Sequence, residues 1–364
     1  MKITAIKTGR LETPLKVPFK TAVRTVDKLT DVIVRIETDC GAVGWGSAPP
    51  TSKVTGDTVG SIIGAIDEAI RPILLGRDAE ALEENLLALD GAIVGNTSAK
   101  AAVDIALHDL WARSIGQPVW RLFGGVGRSI ETDVTISVNS PEEMARDALR
   151  GKNDGFKVIK TKVGLDAETD FSRLRGIREA IGPEIKLRID ANQGWKPGEA
   201  VRILERMQDA GFDLELVEQP VKAGDLKGLA YVTANSPVPV VADESCWSPA
   251  DALRIISERA ANMVNIKLMK CGGAGHARQI IALSQAMNVE VMMGCMLEGK
   301  VSCAAAVHLA SAFSCVTRID IDGPVLCATD PIKGGPCFEA GGRITLDDAP
   351  GFGIEEISGV KWLS

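Results

Sequence analysis

The sequence predicts an α/β protein: a (β/α)-barrel of the TIM type, in a modified seven- or eight-unit form, with an N-terminal α+β capping domain. Three observations carry this expectation. Short apolar runs start near Val134, Lys157, Leu187, Leu214, Val238, Met263, Val289 and Val316, with 23 to 30 residues between successive starts. Amphipathic segments with clear helix starts fill the intervals. Charged residues collect at the C-terminal ends of the runs rather than within them. Such an alternation is what parallel βα units closing into a barrel require. An open doubly wound sheet is the structural alternative, but the glycine-rich fingerprint that usually follows its first strand is missing.

The first 125 residues read as the α+β module. Residues 2–15 and 31–48 give three strands, the latter pair turning at Thr38-Asp39-Cys40-Gly41. Residues 57–75, 79–90 and 97–114 follow as helices. In the last of these Ala101, Ile105, His108 and Ala112 recur at helical spacing. Gly116-Gln117-Pro118 stops it. The barrel then occupies 126–322. Ser140-Pro141-Glu142-Glu143 starts one of its helices with a capping residue, a first-turn proline and an acid at the third position. Ser248-Pro249-Ala250-Asp251 starts another in the same way. Residues 323–364, rich in Gly and Pro, are expected to pack back on the first module.

Composition narrows the function. Hydrophobic residues are 45% and charged residues 24% of the 364, the balance of an ordinary globular protein. A net charge of -7 without a basic run argues against a nucleic-acid backbone as partner. No apolar stretch approaches the roughly 18 residues of a bilayer span. The start, Met1-Lys2-Ile3-Thr4-Ala5-Ile6, lacks a signal peptide's apolar block, so a cytoplasmic location is expected. The eight cysteines form no CxxC pair and read as reduced, buried thiols. His108, His276 and His308 each sit in a helical pattern and read as packing residues. Base chemistry therefore falls to carboxylates or lysines.

Charge is expensive inside a strand buried on both faces. Here the second run ends Lys160-Thr161-Lys162 and the third Ile189-Asp190. The fourth ends Glu218-Gln219-Pro220, the fifth Asp243-Glu244 and the sixth Ile266-Lys267. The seventh reaches Glu298, and the eighth ends Asp320-Ile321-Asp322. Capping of the next helix explains one such residue, not a succession converging on one rim. Asp190, Glu218 and Asp243 offer an all-oxygen set suited to Mg²⁺ or Mn²⁺. Lys162 and Lys267 fall on opposite sides of those three strands. Lys160 lies two residues from Lys162, on the same side of its strand, where one ammonium should lower the pKa of the other. The chemistry implied is removal of a proton beside a carboxylate, with a cation stabilising the developing enolate. Bases on both faces imply racemisation or epimerisation.

These motifs, with Asn265-Ile266-Lys267-Leu268-Met269-Lys270-Cys271-Gly272-Gly273 and the segment from Ala101 to Gly125, resemble the enolase superfamily, muconate-lactonising subgroup. The likeness covers nearly the whole chain. It implies that Asp190, Glu218 and Asp243 hold the metal, that Lys162 and Lys267 are the bases, that Lys160 tunes Lys162, and that Asn192 and Glu244 support the ligands. Asp320-Ile321-Asp322 looks like the Asp-x-Asp with which the subgroup's dipeptide epimerases grip a substrate ammonium. Paired carboxylates favour a cation and repel an anionic succinyl or muconate group. Arg24, in the loop Pro18–Thr25, falls where Ala–Glu epimerases place an arginine on the glutamate side chain. Thr135 and Lys160 are expected to touch substrate, and Glu298 to belong to the cavity wall. Cys295 reads as barrel filling. The resemblance thus implies an isomerase acting on a small dipeptide such as L-Ala-D/L-Glu, as a homo-oligomer. An N-succinylamino-acid racemase and a non-catalytic metal-binding barrel are the alternatives.

Overall fold

The computed structural model describes residues 1–20 and 25–363. Three antiparallel strands open the chain: β1 (Ile3–Lys20), β2 (Thr25–Thr38) and β3 (Val43–Ala48), with β2 in the middle. β1 runs past its expected end at residue 15, and β2 starts before its expected start at residue 31. β1 and β2 pair as far as Lys20 and Thr25. Val32, Val34 and Ile36 are buried beneath the helix Thr97–Ile115, and Ile33 is buried on the opposite face of the strand. The helix expected over 57–75 is broken into Val59–Ala65, a π-turn at Ile66–Ile70 and Arg71–Leu74. Pro72 supplies the reason, because it lacks the N–H an unbroken helix needs and its ring crowds the preceding turn.

β4 (Ile130–Glu131) leads into eight parallel strands. They are β5 (Val134–Ile136), β6 (Val158–Lys162), β7 (Lys186–Asp190), β8 (Leu214–Glu218), β9 (Val240–Ala242), β10 (Met263–Ile266), β11 (Glu290–Gly294) and β12 (Val316–Asp320). They pair in chain order into one sheet. Each begins within two residues of its expected start. β9 is the latest, beginning just after Pro239, which cannot donate to a ladder. The edges β5 and β12 approach each other. Asp133 N donates to Ile319 O at 3.3 Å, and Ile321 N to the Thr132 hydroxyl at 2.8 Å. The barrel is nearly closed.

The expected helix starts are present. Ser140 Oγ accepts from Glu143 N at 3.3 Å while the Glu143 carboxylate accepts from Ser140 N. Ser248 Oγ accepts from Asp251 N at 3.1 Å. After β12 come β13 (Ile332–Gly334), β14 (Cys337–Phe338), β15 (Arg343–Thr345), β16 (Ile354–Ile357) and β17 (Lys361–Trp362). β17 joins the first sheet, pairing with β1 at Gly9 and Arg10, whereas β15 pairs with β4 at the barrel entrance. No described helix is long and apolar enough to cross a membrane. Cys246, Cys271 and Cys303 are buried, but Cys40 and Cys337 are exposed, against the expectation of uniformly buried thiols.

Candidate active site

Because the strands are parallel and in register, their C-terminal ends form one rim, with Lys162 opposite Asp190 and Asp190 opposite Glu218. Above it lies a cavity of about 480 Å³ lined by Lys160, Lys162, Asp243, Glu244, Lys267, Asp320 and Asp322 from the barrel, with Phe19, Thr51 and Val54 from the capping module. Asp190 and Glu218 lie beneath, with no exposed surface, covered by the lysines bonded to them. The carboxylates of Asp190, Glu218 and Asp243 bring oxygens within 4.8 Å of one another.

Four ammonium groups hold these acids. Lys162 Nζ donates to Asp190 at 2.5 Å. Lys160 Nζ donates to Glu218 at 2.5 Å and to Asp320 at 2.7 Å. Lys267 Nζ donates to Asp243 Oδ2 at 2.8 Å and lies 3.7 Å from Glu218. Lys270 Nζ donates to Asp243 Oδ1 at 2.6 Å and to Asn265 O at 2.9 Å. Lys162 and Lys267 thus reach the acids from opposite sides and share one cavity. Gly294 permits this closeness, since a Cβ there would lie 2.6 Å from Asn265 Oδ1 and 3.0 Å from Lys267 Cε.

Burial and charge set the titration. Burial, with Asp190 alongside, pushes Glu218 up to about 7. Burial also opposes charge on Asp243, but Lys267 and Lys270 outweigh it and hold that acid well below the carboxylate range. Lys160 is a buried ammonium among acids. Burial lowers its pKa, yet Asp320, Glu218 and Asp190 together hold it well above the lysine range. Lys267 is raised in the same way by Asp243 and Glu218 against burial.

The three acids suit a divalent cation. They offer hard oxygen donors, all buried, crowded so closely that burial and mutual repulsion raise one of them. Nearby, Asn265 Oδ1 and Glu244 Oε2 are buried without a hydrogen-bond partner among the described residues.

Asn192 and Glu244 meet as expected: Asn192 N donates to Asp190 Oδ1 at 2.8 Å, and its amide to Glu244 at 3.3 Å. Asp320 and Asp322 sit together at the far end of the cavity. Asp322 Oδ2 accepts from the Thr135 amide at 2.7 Å, which brings the expected substrate-side residue Thr135 beside them. Burial lifts Asp322 to about 6. Glu298 departs from expectation. Met296 and Leu297 wall the cavity there, while Glu298 is buried and accepts from Met296 N at 2.7 Å. The backbone turns its side chain behind the wall, where burial raises it to about 7. Cys295, read as filling, lines the cavity instead. Arg24 lies outside the described residues.

Three further contributors had no role assigned from the sequence. Asn265 donates to Glu218 Oε1 at 2.8 Å. Gln219 Oε1 accepts from Asp243 N at 2.9 Å and orients that ligand's strand end. Asp133 joins Asp320 and Asp322 in a second buried acidic group and bonds Arg188 at 2.8 Å. Asn265 and Gln219 lie in the strand-end motifs with Lys267 and Glu218, whereas Asp133, just before β5, stands between Thr132 and Val134 and gave no signal.

A capped barrel whose rim sets two lysines astride three buried acids has the groups that proton transfer beside a cation-held oxygen would use. The chain matches the family model "Enolase C-terminal domain-like" over residues 143–356 and "Mandelate racemase / muconate lactonizing enzyme, N-terminal domain" over residues 3–124. It belongs to this enolase-superfamily group. It is 54% identical to an L-Ala-D/L-Glu epimerase of Clostridium acetobutylicum, over 98% of this chain and all of that one. Its structure resembles the substrate-liganded L-Ala-D/L-Glu epimerase from Bacillus subtilis, with TM-score 0.96 and 46% identity, covering 99% of this chain and all of the other. It also resembles a dipeptide epimerase from Enterococcus faecalis complexed with Mg and L-Leu-L-Tyr, with TM-score 0.94 and 37% identity, over 98% of this chain and all of that one.

Proposed function

We propose that this protein is a Mg²⁺-dependent dipeptide epimerase that inverts the α-carbon of the C-terminal residue of L-Ala-D/L-Glu. It is an isomerase. The observation that carries the reading is the placement of Lys162 and Lys267 on opposite sides of one acid triad within one cavity. Lys162 removes the α-proton from one face and Lys267 delivers a proton to the other, and the two exchange roles for the reverse reaction. Lys160, tied to both Glu218 and Asp320, fixes the cavity floor between them. Asp320 and Asp322 receive the substrate ammonium, next to Thr135. Arg24 is assigned to the glutamate side chain. Asp190, Glu218 and Asp243, supported by Asn192 and Glu244, would hold Mg²⁺, with Mn²⁺ as a substitute. That ion would stabilise the negative charge gathering on the substrate carboxylate. The activities of the relatives and the Mg-containing neighbour support this reading.

The proposal keeps the division into a capping domain (1–125), a barrel (126–322) and a returning tail (323–364), and a cytoplasmic homo-oligomer. In D₂O with Mg²⁺, the protein is expected to wash deuterium into the glutamate α-position of L-Ala-L-Glu, and a chelator to stop it. Absence of exchange across a panel of dipeptides ends the proposal.

A further inference from the structure

The two lysines ride on separate chain segments, and each segment is fixed by a buried aspartate that takes no part in the acid triad. Lys267 opens a compact unit. Its carbonyl accepts from Lys270 N at 2.9 Å and Cys271 N at 3.2 Å, and Gly272 N and Gly273 N both return to Leu268 O. The unit leaves through Ala274 and Gly275, whose amides both donate to Asp104, at 2.6 and 3.1 Å. Gly273 has φ +125°, and a Cβ there would fall 2.2 Å from Asp104 Cγ, so acid and backbone pack with no room for a side chain. Asp104 comes from the capping helix Thr97–Ile115, and His108 Nδ1 lies 3.1 Å from its carboxylate.

Lys162 has a different anchor. It ends β6, and two residues later Gly164 N donates to Asp170 Oδ2 at 2.7 Å. The other oxygen of Asp170 accepts from Arg173 at 3.0 Å, and Arg173 Nε donates to Asn139 O at 3.0 Å. Asp170 is fully buried on the barrel helix Ala167–Ile181. The two sets share no residue.

From this we infer that Asp104 and Asp170 are positioning residues, each fixing one of the two lysines, so that each governs proton transfer on one face of the substrate's α-carbon. Asp104 spends both carboxylate oxygens on backbone amides of the segment that carries Lys267, and Asp170 spends one on the Gly164 amide beside Lys162 and the other on Arg173, which is itself tied to Asn139 O. An asparagine keeps one acceptor oxygen and sets an NH₂ where the second was. The segment must then shift. A displacement near 1 Å at a reacting group costs about 10²-fold in rate. Because the bases face opposite sides, the cost falls on one epimer.

The inference rests on the two-base reading above, and its test separates the two. Asp104→Asn and Asp170→Asn are made in the full-length protein. With Mg²⁺ in D₂O, initial deuterium wash-in is measured separately from L-Ala-L-Glu and L-Ala-D-Glu. Asp104→Asn is expected to slow exchange of one epimer about tenfold or more and leave the other within about twofold. Asp170→Asn is expected to slow the opposite epimer. The ratio of the two rates is indifferent to the fraction of enzyme that is folded, so a general loss of stability cannot imitate the result. Equal slowing of both epimers, no change, or slowing of the same epimer by both variants overturns the inference. A wild-type protein that exchanges neither epimer instead removes the epimerase reading.

Discussion

Asp320→Asn separates a dipeptide enzyme from an acylamino-acid racemase. Asp320 is buried at the cavity's far end, and its Oδ2 accepts from Lys160 Nζ at 2.7 Å. If it also receives the substrate ammonium, the substitution removes one charge-assisted hydrogen bond, worth about 1.5–3 kcal/mol. At about 1.4 kcal/mol per decade, that is about 10- to 150-fold in kcat/KM for L-Ala-L-Glu. An N-succinyl amino acid uses the same bases and acid triad but brings no ammonium. Its turnover carries only the disturbance passed on through Lys160, which keeps Glu218 at 2.5 Å and Asp190 at 3.7 Å. The assay is kcat/KM by polarimetry for both substrates, wild type against variant. Asp322→Asn repeats the test at an acid bonded to the Thr135 amide rather than to Lys160. A parallel fall for both substrates, or none for the dipeptide, refutes the assignment of this end to an ammonium.

Three further outcomes follow from the geometry. Lys162→Ala is expected to abolish epimerisation, by about 10²–10⁴-fold as for loss of a general base, while Lys267 sustains solvent exchange of one epimer; unchanged turnover would show the base is elsewhere. Lys270→Met strips Asp243 of one of two ammonium partners in a fully buried site, and a loss of about 3 kcal/mol is expected, because Lys267 still offsets the charge; urea unfolding measures it. His308 is buried with its Nδ1 accepting from Trp120 N, and burial lowers it from 6.5 to about 3. Its contribution to stability is therefore complete above pH 6.5 and is lost as pH falls from 6.5 toward 3, by about 2 kcal/mol at pH 5. His308→Gln should flatten the dependence of Tm on pH between 7 and 5, and parallel curves for the two proteins would contradict it.

The barrel was legible because its code is local. Each strand needs an apolar run and each helix a cap, and these recur at a steady spacing that no single error disturbs. The rim was legible for the same reason, since charge in a two-sided buried strand has one affordable place. Position along a strand predicts neighbours, so Lys162, Asp190 and Glu218 came out side by side. What a run cannot encode is rotation of the chain after the strand ends. Glu298 lies four residues beyond β11, and the turn carried it behind the wall while Cys295 came to the front. The pairing of β1 and β2 out to Lys20 was likewise settled by packing rather than by local pattern, whereas the π-turn before Pro72 had a local signal that the periodicity overrode. The acids around Lys160 were not legible as a group, because Asp190, Glu218 and Asp320 come from three other strands.

The buried acids of this protein divide by what they bond, and the division bears on whether the barrel is catalytic. Asp104, Asp109 and Asp170 accept from backbone amides, those of Ala274 and Gly275, Trp45 and Phe352, and Gly164, and the last two acids also pair with Arg113 and Arg173. An acid so used saves the cost of an unpaired buried N–H and fixes the backbone that it bonds. Glu218, Asp243 and Asp320 end instead on the ammonium groups of Lys160, Lys267 and Lys270. Buried ion pairs of that kind contribute little net stability, because desolvation consumes most of the attraction, and apolar residues of similar size would serve a mere scaffold as well or better. A fold that gathers four of its lysines and four acids into one connected buried network at a cavity mouth is not economising on stability. That choice is intelligible for proton transfer, where charges must sit close to the reacting carbon and apart from water, and it weighs against a barrel that only binds.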